Sequence, residues 1–292
     1  MRTLSIKIGI ACVLATVLAG CGLRLPDADC ASLPAQPMTL EGAESFTYAA
    51  TGTRDLRIHV FRPAEDVASR PAILLFVGGG WRTGQVDSMT PQAKAFAARG
   101  YIAVIPDYRV KCRDGTTPRE SVEDAGRALR WLRTHARGLG VDSDRIVLGG
   151  ASAGGHLALV AAMRAPDAER PAGLVLFNPI VDMVAESPPW GGAAARDISP
   201  AALPAGSLPP TFIVHGQEDR RTPIARIRAF CDRARAAGRR CTLKEYPGEG
   251  HSFFTRLDVA PGKSLSPYEE TLTTALAFAD SVIGQTTARR NP

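Results

Sequence analysis

From residue 56 onward the chain alternates between two hydrophobic patterns. Leu56-Arg57-Ile58-His59-Val60-Phe61 sets apolar side chains at every second position, the period of a half-exposed strand, and Pro63 ends it. Short apolar runs follow at 72–77, 102–105, 146–148, 174–177, 212–214 and 243–246. Runs of this kind, bounded by turn residues, suit strands buried on both faces of a parallel sheet. Longer stretches between them repeat near 3.6 residues and predict helices over 91–99, 119–139, 157–165, 224–237 and 268–283. In the second of these, Val122, Ala125, Leu129, Leu132 and Ala136 share one face. Strands that alternate with helices predict an α/β fold: one mostly parallel sheet with helices on both faces. The alternation breaks at 183–210, which is dense in Pro, Gly and Ala. An aperiodic loop of that length reads as a small lid or as disorder. Residues 22–45 also lack a period and read as a tether and arm. No repeat or linker follows, so 46–292 reads as one domain.

Composition narrows the function classes. The 292 residues are 45% hydrophobic and 22% charged, ordinary for a globular domain able to bury its own core. The net charge of +6 is almost all arginine, since Lys7, Lys94, Lys111, Lys244 and Lys263 are the only lysines. Those arginines are scattered among acids rather than gathered with aromatics on one face, which argues against a nucleic-acid partner.

The first residues read separately. Arg2 and Lys7 precede an apolar stretch over 8–18 that is too short for a permanent membrane span and matches the core of a signal peptide. Leu18-Ala19-Gly20-Cys21 then resembles the lipobox of bacterial lipoproteins. The resemblance implies a signal peptide over 1–20, lipid on Cys21, and a domain tethered to a membrane of the bacterial envelope. Gly22 carries no inner-membrane retention signal, so the outer membrane is expected. An ordinary secretory leader with a coincidental cysteine is the alternative.

Four cysteines then remain: Cys30, Cys112, Cys231 and Cys241. In an oxidising compartment an even number permits three pairings. Cys231 lies on a predicted helix and Cys241 opens the next strand, so Cys231–Cys241 is preferred and Cys30–Cys112 follows by elimination. Free buried thiols are the alternative. No Cys-x-x-Cys is present and the five histidines lie far apart, so neither a metal nor a cofactor is expected.

The candidate chemistry begins at Gly150-Ala151-Ser152-Ala153-Gly154, which ends a predicted strand and opens a helix. Small residues two before and two after a serine allow the strained turn of a nucleophile elbow. A serine hydroxyl needs a base, and an elbow predicts the order serine, carboxylate, histidine. Asp219 follows the strand at 212–214, and His251 lies in the glycine-rich loop after the last strand. Asp219 is expected to orient His251, and His251 to relay the proton. Gly78-Gly79-Gly80-Trp81 follows the first parallel strand, where N–H groups of Gly79 and Gly80 can join that of Ala153 around an oxyanion. Trp81 and Trp190 are the candidate pocket aromatics, with a place in the core as the alternative for Trp81. His215 and His156 read as structural, and His59 and His135 as surface residues.

These landmarks, with Asp107-Tyr108-Arg109, Glu123-Asp124-Ala125 and Trp131-Leu132, resemble the α/β-hydrolase esterases over 72–254. The likeness is strongest to the acetyl-esterase and feruloyl-esterase-like branch near the hormone-sensitive-lipase group. It implies an α/β-hydrolase fold and cofactor-free hydrolysis of short acyl esters, with small-molecule or polysaccharide esters as substrates. Two departures stand out: Val77 occupies the place of a histidine that usually precedes the glycines, and Ala151 that of an acidic residue. An amidase or peptidase on the same fold and a non-catalytic binding lipoprotein are the alternatives.

Overall fold

The computed structural model describes residues 30, 33–65, 69–186 and 190–290, with side chains to residue 284. The expected signal peptide over 1–20 and the lipidation site Cys21 lie outside the described residues.

The described residues build one eight-stranded sheet. In chain order the strands are β1 (Glu44–Ala50), β2 (Asp55–Phe61), β3 (Arg70–Phe76), β4 (Ile102–Pro106), β5 (Val141–Ala151), β6 (Gly173–Phe177), β7 (Thr211–Gly216) and β8 (Cys241–Tyr246). Their order across the sheet is β1-β2-β4-β3-β5-β6-β7-β8. β1 and β2 run antiparallel to their neighbours, and from β4 onward every pairing is parallel. Each predicted apolar run is one of these strands. Leu74 lies opposite Val104 on one side and Leu148 on the other, and all three are fully buried.

The helices are α1 (Thr90–Ala98), α2 (Lys111–Asp114), α3 (Pro118–Thr134), α4 (Ala136–Leu139), α5 (Ala153–Arg164), α6 (Ile224–Ala236) and α7 (Pro267–Arg290). α3 opens on a capping box in which Thr117 and Glu120 satisfy each other's backbone N–H, with Pro118 in the first turn. It buries Val122, Ala125, Leu129 and Leu132, the stripe its periodicity predicts. The helix expected over 119–139 is interrupted at His135, where α4 begins. α5 is buried on all sides from Ala153 to Met163, as a helix inside the protein must be. α3 and α5 pack together on one face of the sheet, and α7 crosses β5 and β6 on the other.

Several expectations need correction. β2 is buried rather than half exposed, because it lies between β1 and β4 instead of at an edge. His59 is therefore buried, with Nδ1 2.8 Å from Ser45 Oγ, whereas His135 is exposed as read. β1 takes the edge, and its mixed burial explains why no apolar period announced it. The described part of the arm is bound to the domain, since Gln36 Nε2 donates to the Gly84 carbonyl at 2.7 Å and to Asp107 Oδ1 at 2.8 Å. Both expected disulfides are present, Cys30–Cys112 and Cys231–Cys241, with Cα separations of 5.1 and 5.3 Å.

Arginine pairs hold the connections after β4. Arg54 bridges Asp107 and Asp114, joining β4's end to α2. Arg109 forks onto the fully buried Asp124 of α3, with Nε and Nη2 at 2.8 and 2.9 Å from its two oxygens.

Buried histidines make the fold acid-sensitive. Burial pushes His59 and His156 down to about 4 from an ordinary value of 6.5. Between those values the unfolded chain binds protons that the native chain refuses, so stability falls as pH drops through this window. The expected loss is of the order of 1 kcal/mol per pH unit for each histidine. Urea unfolding at pH 7 and pH 4.5 tests this: the midpoint should drop, and His156→Gln should weaken the dependence. A flat midpoint would contradict it.

Candidate active site

One residue separates β5 from α5, and it is Ser152. Its φ of 52° and ψ of −118° are strained for a residue with a Cβ. The turn is held because the Ser152 N–H donates to the Phe177 carbonyl at 2.9 Å. It also needs Gly154: a Cβ there would sit 2.1 Å from the Phe76 carbonyl oxygen, so any side chain would push the start of α5 off the sheet. The hydroxyl is thereby lifted above the carboxyl ends of the parallel strands, where sites on such sheets form.

The next two strands deliver the partners. Asp219 follows β7 by three residues, and His251 follows β8 by five. Backbone bonds Gln217 N to Tyr246 O at 3.0 Å and Glu218 N to Glu249 O at 2.9 Å tie the two loops together. His251 Nε2 lies 3.0 Å from Ser152 Oγ, and its Nδ1 lies 2.7 Å from Asp219 Oδ2. The residues meet although 99 positions separate the histidine from the serine.

Asp219 is buried among donors. Thr222 Oγ1 and Asn178 Nδ2 donate to Oδ2 at 2.7 and 3.0 Å, and the N–H groups of Arg221 and Thr222 to Oδ1 at 2.9 and 3.0 Å. Burial alone pushes this carboxyl up, but the hydrogen bonds from His251 and Thr222 outweigh it and hold it well below the carboxylate range. Asp219 is therefore an anion at neutral pH, able to stabilise an imidazolium beside it. His215 donates from Nε2 to the Thr222 carbonyl at 2.7 Å and so supports the same turn, the structural role expected of it. Sequence reasoning missed Asn178 and Thr222. Asn178 directly follows β6 with φ 44° and reaches the acid only because β6 and β7 are neighbours.

Ser152 and His251 open into a cavity of about 660 Å³ whose walls include Gly79, Gly80, Gln85, Met89, Arg221 and Phe254. Gly79 has φ 128°, and a Cβ there would lie 2.7 Å from Gly84 N, so the loop closes only on glycine. Ala153, in the first turn of α5, directly follows the serine. Neither tryptophan lines this cavity. Trp81 is buried edge-on against His156, with ring centroids 5.1 Å apart, and Trp190 lies under Lys111 Nζ at 5.4 Å. His156 Nε2 donates to the Ile198 carbonyl at 2.7 Å, so the structure gives it the packing role expected. The described residues of 183–210 form short 3-10 turns packed on α5 and α6 and supply none of the cavity wall, so they do not act as a lid over Ser152 here.

A hydroxyl, an imidazole and a buried carboxylate in series, on a strand–elbow–helix above a mostly parallel sheet, define the class of α/β hydrolases that act through a serine. The BD-FAE family model matches residues 58–183. An esterase from Thermogutta terrifontis, Est2, is 34% identical, with a TM-score of 0.76 over 87% of this chain and 97% of its own. The same esterase has been solved with propionate bound and phosphorylated by paraoxon. A probable carboxylic ester hydrolase of Mycobacterium tuberculosis, LipM, is 29% identical over 224 residues, which are 66% of this chain and 52% of that protein. An acetylxylan esterase of Xylanibacter ruminicola is 27% identical over 235 residues, 75% of this chain and 48% of that protein. The chain belongs to the α/β-hydrolase-fold serine esterases. It spans about half the length of the mycobacterial and Xylanibacter relatives.

Proposed function

We propose that this protein hydrolyses short acyl esters through Ser152, His251 and Asp219, with acetyl groups on carbohydrates as the substrate class. The observation that carries the reading is the hydrogen-bonded series from Ser152 Oγ through His251 to Asp219, opening into the cavity. His251 Nε2 takes the hydroxyl proton as Ser152 Oγ attacks the ester carbonyl. The N–H groups of Gly79, Gly80 and Ala153 receive the developing oxyanion. The tetrahedral intermediate collapses, His251 returns the proton to the leaving alcohol, and an acyl group remains on Ser152. Water, deprotonated by His251, then attacks the acyl-enzyme and releases the acid. Asp219 keeps Nδ1 protonated and balances the imidazolium at each step.

A short acyl group is supported by propionate in the Thermogutta esterase, and a sugar alcohol by the acetylxylan esterase relative. Residence at the cell envelope on a lipid anchor is proposed from Leu18-Ala19-Gly20-Cys21, and the two disulfides support an oxidising compartment.

Paraoxon tests the site. One diethyl phosphoryl group is expected per chain, on the peptide carrying Ser152, with p-nitrophenyl acetate hydrolysis lost in proportion. Labelling elsewhere, or full activity after Ser152 is labelled, would refute the assignment.

A further inference from the structure

We infer that Gln36 and the Cys30–Cys112 cross-link are positioning elements of the oxyanion loop, so that the N-terminal arm is part of the catalytic apparatus. The inference rests on the assignment of Gly79 and Gly80 as oxyanion donors. Donors of this kind must be held to within about half an ångström. Residues 78–80 are all glycine, so no side chain of theirs can anchor them. Val77, just before them, offers no polar side chain either. The turn closes on itself, with Arg82 N and Thr83 N each donating to the Gly79 carbonyl at 3.1 Å, but its placement over Ser152 is set by groups that grip the loop from outside.

The structure has three such grips. At the near end, Tyr108 O–H donates to the Val77 carbonyl at 2.7 Å. Beyond the glycines, α2 supplies a row of donors: Lys111 N to Trp81 O at 2.9 Å, Cys112 N to Arg82 O at 2.9 Å, and Arg113 Nη2 to Gly84 O at 3.0 Å. The third grip is Gln36, whose Nε2 bridges the Gly84 carbonyl and Asp107 Oδ1 while its Oε1 accepts from Val86 N at 3.2 Å. Gln36 thus fastens the loop's far end to the segment after β4, although 48 residues separate it from Gly84.

α2 has only four residues, too few to persist without outside support. Two contacts provide it: Asp114, clamped by Arg54, and Cys112, bonded covalently to Cys30 of the arm. The cross-link therefore fixes the element whose N–H groups hold Trp81 and Arg82, and the arm it belongs to carries Gln36. The Cys231–Cys241 bridge lies elsewhere: it joins α6 to the first residue of β8, at the end of that strand opposite the carboxyl ends that carry Ser152, Asp219 and His251.

That contrast supplies the control. Steady-state p-nitrophenyl acetate hydrolysis is measured for the wild type, Gln36→Ala, Cys30→Ser/Cys112→Ser and Cys231→Ser/Cys241→Ser, each at a temperature well below its own unfolding midpoint. Misplacing the donors should lower kcat about ten- to a hundredfold in the first two variants, with KM within about twofold. The third variant should keep kcat within about twofold even if its midpoint falls. Affinity for a trifluoromethyl ketone, whose hemiketal adduct places an oxyanion in the loop, should fall in parallel with kcat. Gln36→Ala with wild-type kcat, or equal kcat losses in the two disulfide variants, would overturn the inference while leaving the triad intact. An inactive wild type that paraoxon does not label would instead remove the functional reading beneath it.

Discussion

Replacing Ser152 with alanine is expected to lower kcat for p-nitrophenyl acetate by about five to six orders of magnitude, leaving the fold and ligand affinity close to wild type. Without Oγ no acyl-enzyme forms, and His251 is left with no proton to accept at the elbow. What remains is attack by water on an ester polarised by the oxyanion loop, which still exceeds the uncatalysed rate by about a thousandfold. The fold should survive because the turn depends on the backbone bond to Phe177 and on the room at Gly154, not on the hydroxyl. Relief of strain is not expected, since alanine also carries a Cβ into the positive-φ region. Activity within tenfold of wild type would mean that another nucleophile carries the reaction.

The second large effect is expected from Asp219→Asn, a change of one atom that should cost about four orders of magnitude in kcat. Every neighbour of this side chain is a donor: Arg221 N and Thr222 N face one oxygen, and Thr222 Oγ1, Asn178 Nδ2 and His251 face the other. An amide must turn its NH2 toward one side or the other. Facing it to His251 forces Nδ1 to accept, which moves the ring proton to Nε2 and leaves nothing to deprotonate Ser152. Facing it to the Arg221 and Thr222 amides opposes donor to donor in a buried site, and the turn after β7 loosens. Both outcomes disable the base, so kcat should fall while KM stays near its original value. The low-field proton resonance of His251 Nδ1–H should also disappear. A loss smaller than tenfold would show that Asp219 does not set the tautomer.

Much of the site was legible because its signals are local or follow chain order. The spacing of Gly150, Ser152 and Gly154 encodes a tight strand-to-helix turn within five residues, and a turn is decided by backbone sterics over that length. Asp219 and His251 were legible for a second reason: each lies in the loop after a recognisable buried strand, and parallel strands present those loops at one edge of the sheet. Asn178, Thr222, Tyr108 and Gln36 carried no comparable signal. Their roles are hydrogen bonds to groups elsewhere in the fold, and a polar residue in a loop or just past a strand reads the same with or without such partners.

Trp81 and Trp190 show the converse. Type and neighbourhood leave Trp81 open between a pocket wall and the core and make Trp190 a pocket candidate; the fold turns Trp81 into the core against His156, and Trp190 sits with a segment packed on α5 and α6. The direction of a large side chain depends on the side of the loop that meets a neighbour, and the linear order of residues does not specify it. His59 was misread for a related cause. Alternation identified a strand but not its place in the sheet, and insertion between β1 and β4 buried it.

Hydrophobic period, glycine placement and the order of serine, acid and histidine thus belonged to the chain alone: the strands and helices, the parallel sheet, the elbow and the identity of its partners. Tertiary structure decided how those parts meet. It put β3 between β4 and β5, drew an N-terminal arm onto the glycine loop after β3, surrounded Asp219 with donors and left the described residues of 183–210 out of the cavity wall beside Ser152. The division follows the range of the forces involved. Backbone sterics and amphipathic period act over a few neighbouring residues, whereas a buried hydrogen bond is defined only when the fold has closed around both partners.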